Sequence, residues 1–301
     1  MKIAVMGAGA VGSWYGGRLA QAGHEVVLIG RATHVEAINE GGLRLARGES
    51  SARGETVALR ATTDPGATGG ADLVLCCVKA TDIPSAGRAM APCLAPGAQV
   101  LSLQNGVESA ERLEKALGRP VVPVAVYVAV TLAEPGVVRH LGGGALLMPD
   151  GETVEPIAAL FEGAGVAVTR SDNLLGALWA KLIVNCAWNA LSAVTRRPYG
   201  ELIRVAGVEA LLTAVVEECL AVARALEVVV PGDSQAAVRA IAVGMAEQRS
   251  STAQDLARGR PSEIEHLNGY LVRRAEACGV AVPVNRTLLT LVRALETSAG
   301  G

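Results

Sequence analysis

The first thirty residues place a glycine pattern between two short apolar runs. KIAVM (Lys2–Met6) and EVVLIG (Glu25–Gly30) have the nearly unbroken apolar character of buried parallel strands. Between them, GAGAVG spaces Gly7, Gly9 and Gly12 as G-x-G-x-x-G at the start of a helix-like segment. In this context the first glycine permits a tight turn, the second lets the backbone approach a pyrophosphate, and the third allows close helix–strand packing. The pattern predicts a Rossmann-type dinucleotide-binding domain.

The pyrophosphate is expected at the first turn of the helix that follows, because a helix N-terminus attracts anions. The alternative is a turn of small residues that binds no ligand. The succession of strand, turn, helix and strand favours the cofactor. The residues predicted to contact it there are Gly7, Ala8, Gly9, Ala10, Val11 and Gly12.

The end of the second predicted strand indicates which dinucleotide binds. NAD-binding domains usually place an Asp or Glu there to hydrogen-bond the ribose, whereas this chain has Gly30 followed by Arg31. A guanidinium can pair with a 2′-phosphate that a carboxylate would repel. The sequence therefore favours NADPH/NADP, with a solvated surface arginine as the alternative.

Polar residues also follow two later apolar runs. ADLVLCCVKATD (Ala71–Asp82) is predicted to be a strand ending at Lys79. AQVLSLQNGVES (Ala98–Ser109) is predicted to be a strand ending in Gln104, Asn105 and Gly106, before a helix. Ligands bind beyond the carboxyl ends of strands in open parallel sheets, so Lys79 and Asn105 are candidate cofactor contacts. A surface lysine and an Asn-Gly turn are the alternatives.

The hydrophobic periodicity changes near Arg170 and predicts two domains. Residues 1–170 form the α/β nucleotide-binding domain, and residues 171–301 form an all-helical domain. In the first, residues 121–148 are expected to form several strands joined at 134–136 and at 142–144, followed by a helix over 152–163 and a strand over 166–169. The helices predicted in the second span 173–192, 205–227, 235–247, 262–278 and 285–296.

The first of these helices carries a polar stripe in an apolar segment, LLGALWAKLIVNCAWNALSA. Lys181, Asn185 and Asn189 are each four residues apart, so successive members are rotated by only about 40° and share one face. A cation and two amides in such surroundings indicate either a solvated helix edge or a functional site. The spacing alone leaves both interpretations open.

The composition excludes several function classes. The 301 residues carry a formal net charge of −2, which indicates neither a nucleic-acid partner nor an anionic membrane surface. No run of about 18 apolar residues is free of charge, Gly and Pro, so no membrane span is predicted. Six cysteines are scattered without paired metal spacing, which is typical of buried thiols in a cytoplasmic protein and predicts no metal site. They are Cys76, Cys77, Cys93, Cys186, Cys219 and Cys278.

Six motifs occur along nearly the whole chain in an order and at separations that resemble the ketopantoate reductase (2-dehydropantoate 2-reductase) family. They are GAGAVG, VKATD, QNGVES, WAKLIVNCAWNALSA, RSSTAQDLARGRPSEIEHLNG and AVPVNRTLL. The first is shared by many dehydrogenases, whereas the Lys-xxx-Asn-xxx-Asn helix and the Ser–Glu segment are specific to the family. The resemblance implies NADPH-dependent reduction of 2-dehydropantoate, a small anionic 2-oxo acid, to pantoate in pantothenate biosynthesis.

The resemblance also implies roles for individual residues. Lys181 matches the proton donor, with Glu263 and Asn185 as further catalytic residues. Ser251 matches a residue that holds the substrate carboxylate, and Glu263 one associated with the substrate hydroxyl. The implied substrate contacts are Asn105, Asn185, Asn189, Gln248, Ser251 and Glu263, and the implied cofactor contacts outside the glycine pattern are Arg31, Lys79 and Asn105.

A lysine in an apolar cleft suits this chemistry. Hydride reduction of a ketone leaves negative charge on the carbonyl oxygen, and an ammonium group can stabilise that charge and then supply the proton. Desolvation is expected to lower the pKa of Lys181 and so ease donation.

One departure from the family pattern is visible. Better-known members have Asn-Arg-Ser-Ser where this chain has Gln248-Arg249-Ser250-Ser251. Gln can still donate an amide hydrogen bond but is one methylene longer. This difference supports a second hypothesis, a paralogous NADPH-dependent reductase of another 2-oxo acid. A third hypothesis, a non-catalytic dinucleotide-binding sensor, is disfavoured because Lys181, Asn185, Ser251 and Glu263 are all present. The oligomeric state stays open, a homodimer included.

Overall fold

The computed structural model describes residues 1–48 and 54–298. The chain forms two compact units. One comprises Met1–Asn105 and Ser109–Leu174, and is called the nucleotide unit below. The other comprises Gly106–Glu108 and Leu175–Gly301, and is called the helical unit.

The nucleotide unit contains eleven strands and five α-helices within its described residues. Its first half contains β1 (Lys2–Met6), α1 (Ala10–Gln21), β2 (Glu25–Ile29), α2 (Ala32–Gly41), β3 (Leu43–Arg47), β4 (Gly54–Val57), β5 (Arg60–Thr62) and β6 (Leu73–Cys76). Its second half contains α3 (Ile83–Met90), β7 (Gln99–Ser102), α4 (Ser109–Leu117), β8 (Val122–Pro123), β9 (Ala125–Glu134), β10 (Val137–Pro149), α5 (Glu155–Gly163) and β11 (Val168–Ser171).

Six strands form a parallel sheet in the order β5-β2-β1-β6-β7-β8. The central strand β6 is buried along its whole length, as expected for a parallel strand covered on both faces. The chain runs from β1 outward to β2 and β5, and then returns to β6 on the other side of β1. The carboxyl ends of β1 and β6 therefore flank the point where strand order reverses, where doubly wound sheets bind ligands. The predicted Rossmann-type fold is confirmed.

A second sheet holds the order β11-β10-β3-β4, with β9 paired antiparallel to β10. The turn predicted at residues 134–136 lies between β9 and β10. The break predicted at residues 142–144 is wrong, because β10 continues through these glycines with register shifts against β9. Gly143 has φ +70°, and a Cβ there would lie 2.3 Å from the Tyr127 carbonyl oxygen. These glycines allow bulges in one long hairpin strand.

The helical unit is built around the helix that carries the polar stripe. Its helices are α6 (Leu174–Thr195), α7 (Tyr199–Leu202), α8 (Val208–Ala225), α9 (Ser234–Gly244), α10 (Ser251–Ala257), α11 (Asn268–Cys278) and α12 (Pro283–Ser298). Trp179 and Trp188 of α6 are each 1% exposed and pack with α8, α11 and α12 in one apolar core. The all-helical prediction for this region is confirmed.

Three parts of the helical unit differ from the sequence prediction. The short helices α7 and α10 were not predicted, and α10 follows a buried serine. The single helix predicted over 262–278 is wrong in its first part, where a 3-10 turn, Ile264–His266, precedes α11. Leu267 separates the two with φ −111° and ψ −101°, a backbone conformation incompatible with a continuous helix.

Within the described residues, α6 is the one helix long and apolar enough to cross a membrane by length and composition. Its most apolar 18-residue window is 72% buried inside the protein. A helix in the core of a globular domain can have the same length and apolar composition as a membrane span. All six cysteines are free thiols. Cys76, Cys186 and Cys219 are buried, and the other three are partly buried.

Candidate active site

The three glycines of the turn between β1 and α1 are there for different reasons: two are needed for packing, and one leaves space for a ligand. A Cβ on Gly7 would lie 2.5 Å from the Val78 backbone nitrogen, and one on Gly12 would lie 2.2 Å from the Gly7 carbonyl oxygen. Gly7 also has φ +106°, which disfavours any side chain. These two glycines are required by the fold itself.

Gly9 is different. It is exposed, its backbone is extended (φ −83°, ψ −167°), and a Cβ there would meet no protein atom within 4 Å. Neither its conformation nor its packing requires glycine. The space beside Gly9 at the start of α1 is therefore open, as close approach of a pyrophosphate to a helix N-terminus requires. The turn fits a dinucleotide.

The end of β2 lies beside the glycine turn. The amides of Gly7 and Ala8 both donate to the Ile29 carbonyl oxygen, at 3.0 and 2.8 Å, and a Cβ on Gly30 would lie 2.7 Å from the Ala8 Cβ. Arg31 follows as the exposed N-cap residue of α2. Its guanidinium is thereby available to an anionic group near the turn.

Lys79 and Asn105 follow neighbouring strands. β6 ends three residues before Lys79, which is the N-cap residue of a 3-10 turn, Ala80–Asp82. β7 ends three residues before Asn105, whose carbonyl oxygen accepts a 2.8 Å hydrogen bond from Ser109 Oγ. Both residues are partly buried. Because β2, β1, β6 and β7 are adjacent in the sheet, the predicted cofactor residues all follow strands that end at one edge.

Gln104 connects the ends of β6 and β7 and was given no role by the sequence analysis. It is 6% exposed, and its Nε2 donates to Cys76 Sγ at 3.1 Å. Its Oε1 accepts from Ser102 Oγ. A glutamine with both ends bonded inside the sheet fixes the backbone that leads into Asn105. In the sequence, the feature that could have identified Gln104 is its position between an apolar run and the Asn105-Gly106 turn.

The polar stripe of α6 interacts with other residues of the helical unit. Lys181 and Asn185 are partly buried, and Asn189 is 5% exposed. Burial lowers the pKa of Lys181 from 10.5 to about 8, and the negative charge of Glu263 opposes that shift. A solvated helix edge would leave a lysine near its ordinary pKa. The stripe is therefore a partly to fully buried polar feature, in which Lys181 has Glu263 as its charge partner.

Asn189 and Ser251 are brought together by the fold. Asn189 Nδ2 lies 3.4 Å from Ser251 Oγ, and Ser251 is the exposed first residue of α10. The preceding residue, Ser250, holds this arrangement. Its Oγ donates to the Asn189 carbonyl oxygen at 3.0 Å and accepts from the Ala253 amide at 3.0 Å, as a helix N-cap.

Ser250 is 1% exposed and was not singled out by the sequence analysis, although Ser before an apolar segment is an N-cap signal. Gln248, two residues earlier, is partly buried. The structure gives a role to its backbone, whose carbonyl oxygen accepts from the Tyr199 amide at 3.1 Å. The helical unit thus ties the segment before α10 to both α6 and α7.

Glu263 lies directly before the 3-10 turn, and its neighbours fix its backbone. The Ser262 amide donates to Glu296 Oε1 at 2.8 Å, and the His266 amide donates to the Glu263 carbonyl oxygen at 2.9 Å. Ser262 Oγ caps the turn by accepting from the Ile264 amide at 3.2 Å. Ser262 is a second positioning residue that sequence reasoning missed.

Within the described residues, no group of three or more His, Cys, Asp or Glu side chains is placed to hold a metal ion. His34 has a structural position: its Nδ1 accepts from the Gly136 amide at 2.8 Å and its Nε2 lies 3.1 Å from Ser13 Oγ. Burial lowers the pKa of His34, consistent with a neutral ring that accepts at Nδ1.

The parallel sheet with its glycine turn defines a Rossmann-type dinucleotide-binding protein that also carries a helical unit with a partly buried lysine. Two family models match the chain: ketopantoate reductase PanE/ApbA over residues 3–153, and the PanE/ApbA C-terminal domain over residues 173–296. The chain belongs to the ketopantoate reductase family, as the motif resemblance predicted.

Relatives and solved structures agree with this assignment. The chain is 36% identical over 300 residues to the 2-dehydropantoate 2-reductase of Halobacterium salinarum, covering 97% of this chain and 98% of that protein. It is 34% identical over 306 residues to that of Pyrococcus horikoshii, covering 100% and 99%. A PanE/ApbA family ketopantoate reductase from Ralstonia eutropha superposes with a TM-score of 0.96 at 55% identity over both full chains. D-mandelate dehydrogenase, solved with NADH and anilino(oxo)acetate, superposes with a TM-score of 0.91 at 26% identity, also over both full chains.

Proposed function

We propose that this protein reduces 2-dehydropantoate to pantoate with NADPH in pantothenate biosynthesis, with Lys181 as the proton donor. The observation that carries the proposal is the partly buried lysine of α6, whose pKa is about 8 and whose charge partner is Glu263. Membership of the ketopantoate reductase family supports the substrate. NADPH supplies the hydride when it is bound.

Lys181 handles the charge that the reduction creates. As the carbonyl carbon becomes tetrahedral, its oxygen gains negative charge, and the ammonium group stabilises that charge and then donates its proton. With a pKa of about 8, Lys181 is mostly charged at neutral pH and gives up its proton more readily than an ordinary lysine. Glu263 limits the shift, because its carboxylate stabilises the ammonium form.

The proposed substrate contacts follow the family resemblance residue by residue. Ser251 and Asn189, 3.4 Å apart, are proposed to hold the substrate carboxylate, and Glu263 to accept from the substrate hydroxyl. An exposed hydroxyl and a buried amide can bind a carboxylate without adding charge. Asn185, Gln248 and Asn105 complete the proposed substrate contacts.

The cofactor is proposed to bind residues 1–170, and every proposed substrate contact except Asn105 lies in residues 171–301. The open space beside Gly9 receives the pyrophosphate, Arg31 pairs with the 2′-phosphate, and Lys79 and Asn105 contact the dinucleotide from neighbouring strand ends. We also propose a cytoplasmic location, since free thiols persist in reducing compartments.

The test is NADPH oxidation by the purified protein against a panel of 2-oxo acids. The panel contains 2-dehydropantoate, 2-oxoisovalerate and phenylglyoxylate, each also assayed with NADH. We expect the highest kcat/KM with 2-dehydropantoate and NADPH. A higher kcat/KM for any other member of the panel would contradict the proposed substrate.

A second candidate substrate class has its own support. The superposition with D-mandelate dehydrogenase covers the full chain, and Gln248 stands where better-known family members have Asn. A longer amide at this position changes the space available to the substrate side chain. A paralogous reductase of another branched or aromatic 2-oxo acid is therefore the alternative that the same panel distinguishes.

A further inference from the structure

Glu108 belongs to the helical unit although the residues on both sides of Gly106–Glu108 belong to the nucleotide unit. Val107 packs against the apolar core of the helical unit, and the Glu108 side chain is only 19% exposed. Its Oε1 is 2.9 Å from Nδ1 of His266 and 3.1 Å from Nη2 of Arg273. The short segment after Asn105 is thereby anchored by both packing and charge.

The His266–Glu108 contact has a defined direction. A carboxylate is an acceptor, so Nδ1 of His266 carries the hydrogen and donates to Glu108. The imidazole is 11% exposed, which makes the hydrogen bond a largely desolvated one. Loss of the Glu108 carboxylate would take this acceptor away from the largely buried Nδ1–H of His266, which would substantially lower the free energy of unfolding.

His266 ends the 3-10 turn that begins directly after Glu263. Its amide donates to the Glu263 carbonyl oxygen at 2.9 Å, so the turn and Glu263 move together. The charged groups around the turn are Glu265, which accepts two hydrogen bonds from Arg293, and Arg273, whose Nη1 donates to the Glu265 carbonyl oxygen at 3.0 Å. Arg273 therefore bridges Glu108 and the turn.

We propose that Glu108 is a positioning residue: by holding His266 it fixes the turn that presents Glu263 to Lys181. Glu108 acts through its neighbours and has no chemical step of its own. This inference rests on the proposed function, because it assigns a support to the Lys181–Glu263 pair.

The consequence can be measured on the lysine itself. The charge of Glu263 raises the pKa of Lys181 against the effect of burial. If the turn loosens, Glu263 spends less time near the ammonium and this contribution weakens. The pKa of Lys181 then falls below its value in the native protein, and less of the proton donor is charged at neutral pH.

The chain contains four lysines, which makes the measurement direct. We would label the protein with [13Cε]lysine and follow the four signals from pH 6 to pH 11 by NMR. The signal of Lys181 is assigned by its loss in Lys181→Ala. The others belong to Lys2, Lys79 and Lys115. Glu263→Gln removes the charge altogether, so it measures the largest decrease of the Lys181 pKa that loss of Glu263 can cause.

Four variants test the assignment. Glu108→Ala is expected to lower the pKa of Lys181 and to reduce kcat at pH 7.5 about tenfold, the scale of one lost hydrogen bond to a charged group. Glu108→Gln keeps an acceptor oxygen for His266 and is expected to retain kcat within about threefold. His266→Phe removes the bond from the other side and keeps the ring volume, so it replaces Glu108→Ala if that variant does not fold. Glu276→Ala, which removes the exposed 2.8 Å pair with Arg286, is the matched control and should change neither readout.

An unchanged Lys181 pKa in folded Glu108→Ala or His266→Phe would overturn the proposal. So would an equal shift in Glu276→Ala, since the effect would then not depend on the turn. A Glu108→Gln protein as impaired as Glu108→Ala would overturn the hydrogen bond as the cause. The NMR measurement needs no turnover, so an inactive wild-type protein would count against the proposed function alone.

Discussion

The side chain of Asn189 lies 3.4 Å from the hydroxyl of Ser251, 62 positions away in the chain. The contact joins the polar stripe of α6 to the first residue of α10. It exists because the adjacent Ser250, buried under the same helix, bonds the Asn189 carbonyl oxygen and caps α10. Two consecutive serines therefore have different tasks, one structural and one facing solvent.

Ser250→Ala and Ser251→Ala are expected to separate stability from substrate binding. Ser250→Ala removes an N-cap and a buried hydrogen bond, so it should lower the free energy of unfolding by about 1–3 kcal/mol in urea titrations. Ser251→Ala should change that free energy by less than about 0.5 kcal/mol and raise the KM for the 2-oxo acid. Its affinity for NADPH, measured by fluorescence, should be unchanged. Loss of cofactor binding in folded Ser251→Ala would contradict this division.

Gly9→Ala and Gly12→Ala should separate cofactor binding from folding. Gly9 has an extended backbone and open space at its Cβ position, so alanine should alter the free energy of unfolding by less than about 0.5 kcal/mol. It should raise the Kd for NADPH at least about tenfold, because the methyl group occupies the path of the pyrophosphate. Gly12→Ala should destabilise the protein, because the new Cβ would meet the Gly7 carbonyl oxygen. Normal NADPH binding by Gly9→Ala would contradict the predicted phosphate site.

Arg31→Ala should change the choice of cofactor. The guanidinium is exposed at the end of β2, where it can pair with the 2′-phosphate of NADPH that NADH lacks. The KM for NADPH should rise far more than the KM for NADH in steady-state assays. Arg44→Ala, a second arginine of the same unit that was not assigned to the cofactor, serves as the control. Equal effects on the two cofactors would remove Arg31 from the phosphate site.

Lys181→Ala should lower kcat at least about 10²-fold, the usual scale for a general acid. NADPH should still bind, because its proposed contacts lie in residues 1–170. In the native enzyme, kcat for reduction should fall as pH rises through about 8, where the ammonium loses its proton. This decrease of kcat with pH should be absent from the pH profile of Lys181→Ala. A folded variant with near-normal kcat would show that the polar stripe is structural.

Lys181→Met should stabilise the protein while inactivating it. The folded pKa of about 8 lies below the unfolded value of 10.5, so burying the charged form costs stability at neutral pH. This interval already includes the attraction of Glu263 and corresponds to about 3 kcal/mol, so a gain of about 1–3 kcal/mol is expected at pH 7. Between pH 8 and pH 10.5 the unfolded state binds more protons, so the native protein gains stability as pH rises and the difference narrows. Guanidinium unfolding at pH 7 and pH 10 measures both values, and a destabilised variant at pH 7 would contradict the expectation.

The amino-acid sequence determined the fold class because its signals are local. The apolar runs around Gly7, Gly9 and Gly12 define strand, turn and helix within thirty residues, and no distant contact is needed to identify them. The helical period of α6 is equally local. Predictions from local patterns were wrong where tertiary packing determines the backbone conformation. The glycines at 142–144 form bulges inside β10, and the helix predicted over 262–278 is interrupted at Leu267.

The sequence by itself determined the family, the parallel sheet and the residue types available for chemistry. Only the tertiary structure decided which of them meet. Ser251 reaches Asn189 because Ser250 is buried against α6, and Glu263 acts on Lys181 because Glu108 and Glu296 hold the turn around it. The pKa of a lysine depends on the atoms around it, and those atoms come from segments far apart in the chain. Periodicity describes which face of a helix a side chain occupies, whereas desolvation and charge pairing follow from what packs against that face.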